Sequence, residues 1–419
     1  MFLFRRYSDN PLLAFLEERE HFIPIEVDVL MDRMLADKRL SPEQASQFRE
    51  LRRLFALFLH FRYHSQLESL KRNFLPFDPD CDTLDVSDSF AQEKLDAKCS
   101  RLCEDVKLLL QRCNFIEMTE EQLDACLDKQ PVSGLFVHVD KRNFSEVGVF
   151  YRGKRQEVLT EKRFFFFRWK YSTTVFSRVF VLARLSKENE ANAAENTRVL
   201  AKMFKDISVE NLKVIIPEVR LKMPVFARLK IGSTFLTALA TPISKIVFAF
   251  VLSWWLFVVA ASGLAIAAFR GITSFLNNKT KYMQLFSSKL YYCTVSNNKA
   301  ALTSLIDAAE DQELKEVLLA YFMLFVRRDC DFTLEALDEA IEDWLKEQFG
   351  LDIDFEVDDA IRKLKEQDVF VVQNQILKVY GLPSTMRRLD KAWNKFFAYD
   401  KSDVDGENRI ADGVEPPSP

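Results

Sequence analysis

Apolar residues recur at steps of three and four through most of the first 130 positions, the period of helices that bury one face. Ser41-Pro42-Glu43-Gln44 predicts a helix start: Ser41 can cap free amides, Pro42 suits the first turn, and Gln44 can bond back to Ser41. The helix should run to about Asn73, ahead of Pro76, with Tyr63, Leu67, Leu70 and Phe74 on its ladder. A second helix is expected over about Phe90–Cys113, where Leu95, Cys99, Leu102, Val106, Leu109 and Cys113 form one stripe. Thr119-Glu120-Glu121-Gln122 opens a third by the same capping logic.

From Leu135 the period falls to two. Leu135–Asp140, Val147–Tyr151, Thr174–Leu185, Lys202–Asp206 and Val219–Met223 read as strands of a mostly antiparallel sheet, with Arg152-Gly153-Lys154 as a hairpin turn and Val209–Ile216 as a short helix. Phe164–Phe167, with Arg168 and Trp169, reads as a strand buried on both faces, although four consecutive phenylalanines can also touch lipid.

Ile231–Phe269 then contains no acidic residue and one base, Lys245, and Ile246–Phe269 supplies 24 uncharged residues, where a bilayer core needs roughly 20. The pattern predicts a transmembrane helix or a helical hairpin. Basic residues flank both ends, Arg220, Lys222, Arg228 and Lys230 before and Arg270, Lys279, Lys281 and Lys289 after, which favours a hairpin with both flanks on one side. Gly263 and Ala267 would let a second helix approach closely.

Beyond it, Asn297–Glu310, Glu313–Arg327, Thr333–Gln348 and Phe355–Glu366 read as helices, Val369–Val372 and Ile376–Tyr380 as a hairpin, and Ser384–Phe397 as a last helix. Helices closed by a two-stranded hairpin are the order of a winged-helix-like domain. The acidic residues 400–419 lack an apolar period and are expected to be disordered. The whole is an α+β membrane protein in five segments: helical 1–130, sheet-rich 131–230, membrane segment 231–270, winged-helix-like 285–398 and tail 399–419.

Composition changes this picture little. The net charge of −4 gives no global attraction for nucleic acid, and in the helix of the winged module that would read DNA, acids outnumber Arg362, Lys363 and Lys365. Seven cysteines without C-x-x-C or zinc spacing fit free thiols in a reducing compartment. The first residues lack the apolar core and cleavage site of a signal peptide.

Arg19-Glu20-His21-Phe22-Ile23-Pro24, Leu40-Ser41-Pro42-Glu43, Leu59-His60-Phe61-Arg62-Tyr63-His64 and Pro76-Phe77-Asp78-Pro79-Asp80 together resemble the transmembrane protein 143 family, named for a mitochondrial membrane protein of animals. Tyr151-Arg152-Gly153, Phe204-Lys205-Asp206-Ile207, Leu290-Tyr291-Tyr292 and Asn297-Asn298 extend the likeness, which covers about Leu12 to Trp393. The resemblance implies a membrane protein built on a domain of unknown function and brings no catalytic residues.

No glycine-rich phosphate loop or nucleophile elbow occurs among the ten glycines. His60 and His64 share one helix face with Glu68 a turn further on, the one arrangement with metal-ligand spacing. The histidines also border a packing stripe, and Phe61 stands where H-E-x-x-H has its glutamate, so no metal, cofactor or catalytic residue is assigned. The expected function is a non-enzymatic, membrane-anchored interaction or scaffold protein of the cytoplasmic membrane, or alternatively a mitochondrial one. Its expected partners are the lipid bilayer and a protein or second copy, with no nucleic acid. The alternative is an enzyme acting on a lipid or membrane-proximal substrate, metal-dependent through His60 and His64, with the Phe164–Trp169 strand near its pocket.

Overall fold

The computed structural model describes residues 15–78, 92–127, 136–138, 144–163, 167–185, 199–216, 220–222, 290–373 and 376–396, with further helical positions between 255 and 288. The chain divides into two compact units, each drawn from separate stretches: Met1–Phe22 with Leu67–Ile306, and Ile23–Gln66 with Asp307–Pro419.

The first unit is built on a five-stranded antiparallel sheet. Its strands are β1 (Ile116–Glu117), β3 (Phe144–Arg163), β4 (Phe167–Leu185), β5 (Val199–Ser208) and β7 (Thr294–Asn297), hydrogen-bonded in that order. The β3–β4 hairpin dominates it, in register from Phe144 opposite Leu185 to Arg163 opposite Phe167. Val149, Tyr151, Val179, Val181 and Phe204 form a core with Cys126 of α4 (Glu120–Leu127) and Leu212 and Ile215 of α5 (Leu212–Ile215). The intervening Phe150, Phe180 and Met203 are buried as well, so both faces are covered, which is why these strands read as runs of apolar residues. Helix α3 (Gln92–Arg112) buries Cys99, Leu102, Val106 and Leu109, and Cys113 beyond its end is buried with them. It stops at Asn114, whose φ of 56° lets the Phe115 N–H reach back to the Leu110 carbonyl at 3.0 Å. A second, two-stranded sheet pairs β2 (Phe136–His138) with β6 (Arg220–Lys222).

Arg152-Gly153-Lys154 is not the expected turn. Pairing continues across it, Arg152 opposite Arg178 and Lys154 opposite Phe176, and the reversal comes between Arg163 and Phe167. Gly153 keeps the signature of a turn residue, φ +72°, because it lies where the strand is crowded: a Cβ there would sit 2.8 Å from the Ser177 Cβ. Gly153→Ala should therefore destabilise the first unit by about 1–3 kcal/mol, from a positive φ and a steric clash together. A thermal midpoint that does not move would contradict this.

The expected transmembrane helix or hairpin needs correction: among the described residues no helix is long and apolar enough to cross a membrane. The long helices carry charge. In α2 (Pro42–Phe74) Arg49, Glu50, Arg52 and Arg53 follow one another closely, and α6 (Asn298–Val326) has Asp307, Glu310, Asp311, Glu313, Lys315 and Glu316 within it. Most of 231–270, including Gly263 and Ala267, lies outside the described residues, as do Phe164–Phe166 and 397–419.

The second unit is helical. Ser41 and Gln44 form the anticipated reciprocal cap, Ser41 N–H to the Gln44 side chain at 2.9 Å and Gln44 N–H to Ser41 Oγ at 3.1 Å. Helix α2 sets Phe48 and Phe55 against Tyr321 and Phe322 of α6, with ring centroids 5.9–6.0 Å apart. Around them stand α1 (Val27–Leu35), α7 (Leu334–Phe349), α8 (Val357–Glu366), the hairpin β8 (Phe370–Gln373) with β9 (Ile376–Val379), and α9 (Leu382–Phe396), whose Trp393 meets Phe58 and Phe61. The two helices expected at Asn297–Glu310 and Glu313–Arg327 are one. The run Gln312–Glu316 is buried in mid-helix, where Gln312 receives the Ile23 N–H and its side-chain amide donates to Glu316 at 2.8 Å.

After α1, Asp37 accepts two bonds from the Arg39 guanidinium, at 2.9 and 2.6 Å. The Arg39 hydrogen bond holds the Asp37 carboxyl below its ordinary 3.8, against a smaller opposing effect of burial. A carboxyl depressed in the folded state contributes fully above its unfolded value and loses that contribution as pH falls through the folded one. Asp37→Asn should thus flatten the acid limb of the stability curve below pH 3.8. An identical limb in both proteins would disprove the assignment.

Candidate functional site

The metal reading finds one new partner and loses an expected one. On α2 the His60 and His64 rings stack 6.2 Å apart, and His60 Nδ1 lies 3.1 Å from Glu310 Oε2 of α6. Glu68 pairs instead with Lys71, Nζ to Oε1 3.0 Å. His60 is largely exposed, and among the described residues no group of three or more His, Cys, Asp or Glu could hold a metal ion. Glu310 could not be found from the histidine motif, since it lies 250 positions away in sequence.

Tyr151-Arg152-Gly153 and Lys154 act on the chain itself. The Arg152 guanidinium lies over the rings of Phe22 and Phe115, at 4.1 and 4.8 Å, and donates to the Cys113 carbonyl at 3.1 Å. Lys154 Nζ donates to the carbonyls of Phe15 and Glu18 at 3.0 and 2.8 Å, and its N–H donates to the Glu20 carboxylate at 2.8 Å. Burial lowers the Lys154 ammonium from its usual range, against the opposing pull of Glu20 and Glu18. Together these bonds pin residues 15–22 to the sheet. His21 belongs to the same strap, its carbonyl accepting the Asn114 side chain at 2.9 Å.

An open cleft of about 500 Å³ lies between the end of α3, β1, the start of α4 and the start of β3. Lys107 stands in its wall between Glu146 at 2.9 Å and Glu117 at 3.7 Å, and the Glu146 hydrogen bond raises its affinity for the proton. The two hydroxyls of the lining are engaged: Thr119 Oγ1 accepts the Gln122 N–H at 3.2 Å, and Ser145 Oγ donates to the Arg184 carbonyl at 3.3 Å. With its cation neutralised and its hydroxyls bonded, the cleft presents an apolar floor of Met118, Leu123, Val147 and Ile216 under a carboxylate rim.

A different surface lies on the residues that lead into β7. All described positions from Trp255 to Cys293 are helical, and Trp255, Val258, Ile266 and Phe269 among them are exposed, Trp255 at 75% and Phe269 at 68%. Their spacing of three, eight and three is the spacing of positions that share one side of a helix. Leu276 and Met283 continue the exposed apolar positions, Arg270 and Lys281 are exposed in the same stretch, and Tyr291 and Tyr292 stand exposed in edge-to-face contact at its end. Single exposed apolar residues are ordinary on proteins, and these are several large ones within one short span of sequence, with aromatic residues at both of its ends.

No solved structure matches the chain. Residues 144–300, from the first residue of β3 through this helical stretch to the start of α6, match a family model described as a protein of unknown function (DUF3754).

Proposed function

We propose that this protein is a membrane-associated interaction protein without catalytic activity of its own, which meets lipid through the exposed apolar side of the helical stretch after position 255 and a protein partner through its second unit. The observation that carries the reading is the exposure of Trp255, Val258, Ile266 and Phe269, large apolar side chains at helical positions. Burying each in lipid is worth about 1.5–3 kcal/mol, enough in combination to hold a protein at a bilayer. The likeness to the transmembrane protein 143 family supports the same reading, and the bacterial cytoplasmic membrane is the location we propose, with a mitochondrial membrane as the alternative.

For the protein partner, the hairpin β8–β9 is favoured because Val372 projects from it with 55% of its surface exposed. A photo-crosslinking residue at Val372 should yield one discrete adduct from intact cells, and the same residue at Glu347 should yield none. Identical smears from both positions would overturn the assignment of this hairpin.

A further inference from the structure

The helical stretch lies in a span with an unusual balance of charge. Between Glu218 and Asp307 there is no acidic residue, although acids make up 62 of the 419 positions, and ten lysines and arginines fall in the same span. The chain's net charge of −4 conceals this span, whose own formal charges are all positive. Arg270 and Lys281 are exposed within it, on the same helical stretch as the apolar row. Tyr291 and Tyr292, both more than 70% exposed, close the stretch with the amphipathic rings that suit the level of lipid headgroups.

We infer that this surface selects membranes whose headgroups carry net negative charge, an inference that rests on the lipid contact proposed above. The apolar row supplies binding to any bilayer, and the acid-free span supplies the discrimination. An anionic surface attracts each nearby lysine or arginine, and no carboxylate in the span opposes that attraction. A protein partner would need an acidic face to satisfy the same bases and a groove for the apolar row. A bilayer with acidic lipid offers both along one plane, so charge complementarity favours lipid as the occupant.

The test uses the full chain, floated with vesicles of neutral phosphatidylcholine and with vesicles containing phosphatidylglycerol as the anionic lipid. Recovery should be at least about tenfold greater on the anionic vesicles at low salt, and the ratio should shrink as salt screens the field. Arg270→Gln with Lys281→Gln should lower the ratio several-fold while recovery on neutral vesicles stays constant. Equal recovery on both vesicles would overturn the headgroup selectivity and leave the lipid contact standing. Recovery on neither would overturn the lipid contact itself. If a cysteine at Met283 crosslinks to its counterpart in a second copy and no vesicle binds, the surface is a self-association face and the inference fails.

Discussion

Lys363→Ala is expected to destabilise the second unit by about 3–5 kcal/mol, a large effect for a single charge change. Lys363 lies on α8 with only 2% of its side chain exposed, and its ammonium is 2.8 Å from Glu316, 2.7 Å from Asp359 and 3.5 Å from Glu313. Glu313 and Glu316 are as deeply buried on α6, and Glu313 Oε2 has no hydrogen-bond partner, so the lysine is what makes these carboxylates tolerable there. Deleting it leaves the buried Glu313 and Glu316 without their shared cation, while Asp359 keeps its pair with Arg362. The exposed pair Arg62–Glu366, at 2.9 Å, makes the comparison: Arg62→Ala should cost no more than about 1 kcal/mol. Hydrogen exchange of α6 and α8 reads both changes locally, and equal protection in the two variants would show that burial of this network does not control stability.

The second large effect is on lipid binding. Ile266→Glu with Phe269→Glu should lower partition onto vesicles by roughly a hundredfold, about tenfold for each apolar side chain withdrawn from lipid. Both residues are exposed, so the fold does not depend on them. Val158→Glu is the control, since Val158 is a comparably exposed apolar residue on the sheet, and it should change partition little. Equal losses from both proteins would mean that added negative charge, and not the apolar row, decides binding.

Local chemistry was readable in the sequence. The caps at Ser41–Gln44 and Thr119–Gln122 formed as their side chains dictate, because both partners of each bond lie within four residues. The antiparallel strands were visible for the same reason, since apolar runs rich in β-branched residues have few other uses in a sheet buried on both sides. What sequence could not supply was the identity of distant partners. The polar run Gln312–Glu316 looks like the end of a helix until Lys363 and Ile23 are placed beside it, and then it is a buried network in one continuous helix. Gly153 looks like a turn, because a positive φ serves a turn and a crowded strand alike. The short strand Thr294–Asn297 carries no apolar alternation, and it exists because β5 presents an edge to it.

The candidate site followed the same division. His60 and His64 were placed correctly on one helix face, but a metal centre needs convergence, and their third neighbour is Glu310 at a single 3.1 Å contact rather than Glu68. The apolar segment after Ile231 stood out by composition alone. Which of its side chains are exposed on a helix was a matter for the three-dimensional structure.

The central claim, association with a membrane, is tested most directly by fractionating cells that carry the full chain and asking where it sediments at low and high salt. The reading predicts recovery with membranes in both, because the apolar contact persists when charge is screened, and release when Ile266 and Phe269 are both glutamate. Recovery of the unaltered chain in the supernatant at low salt would contradict it.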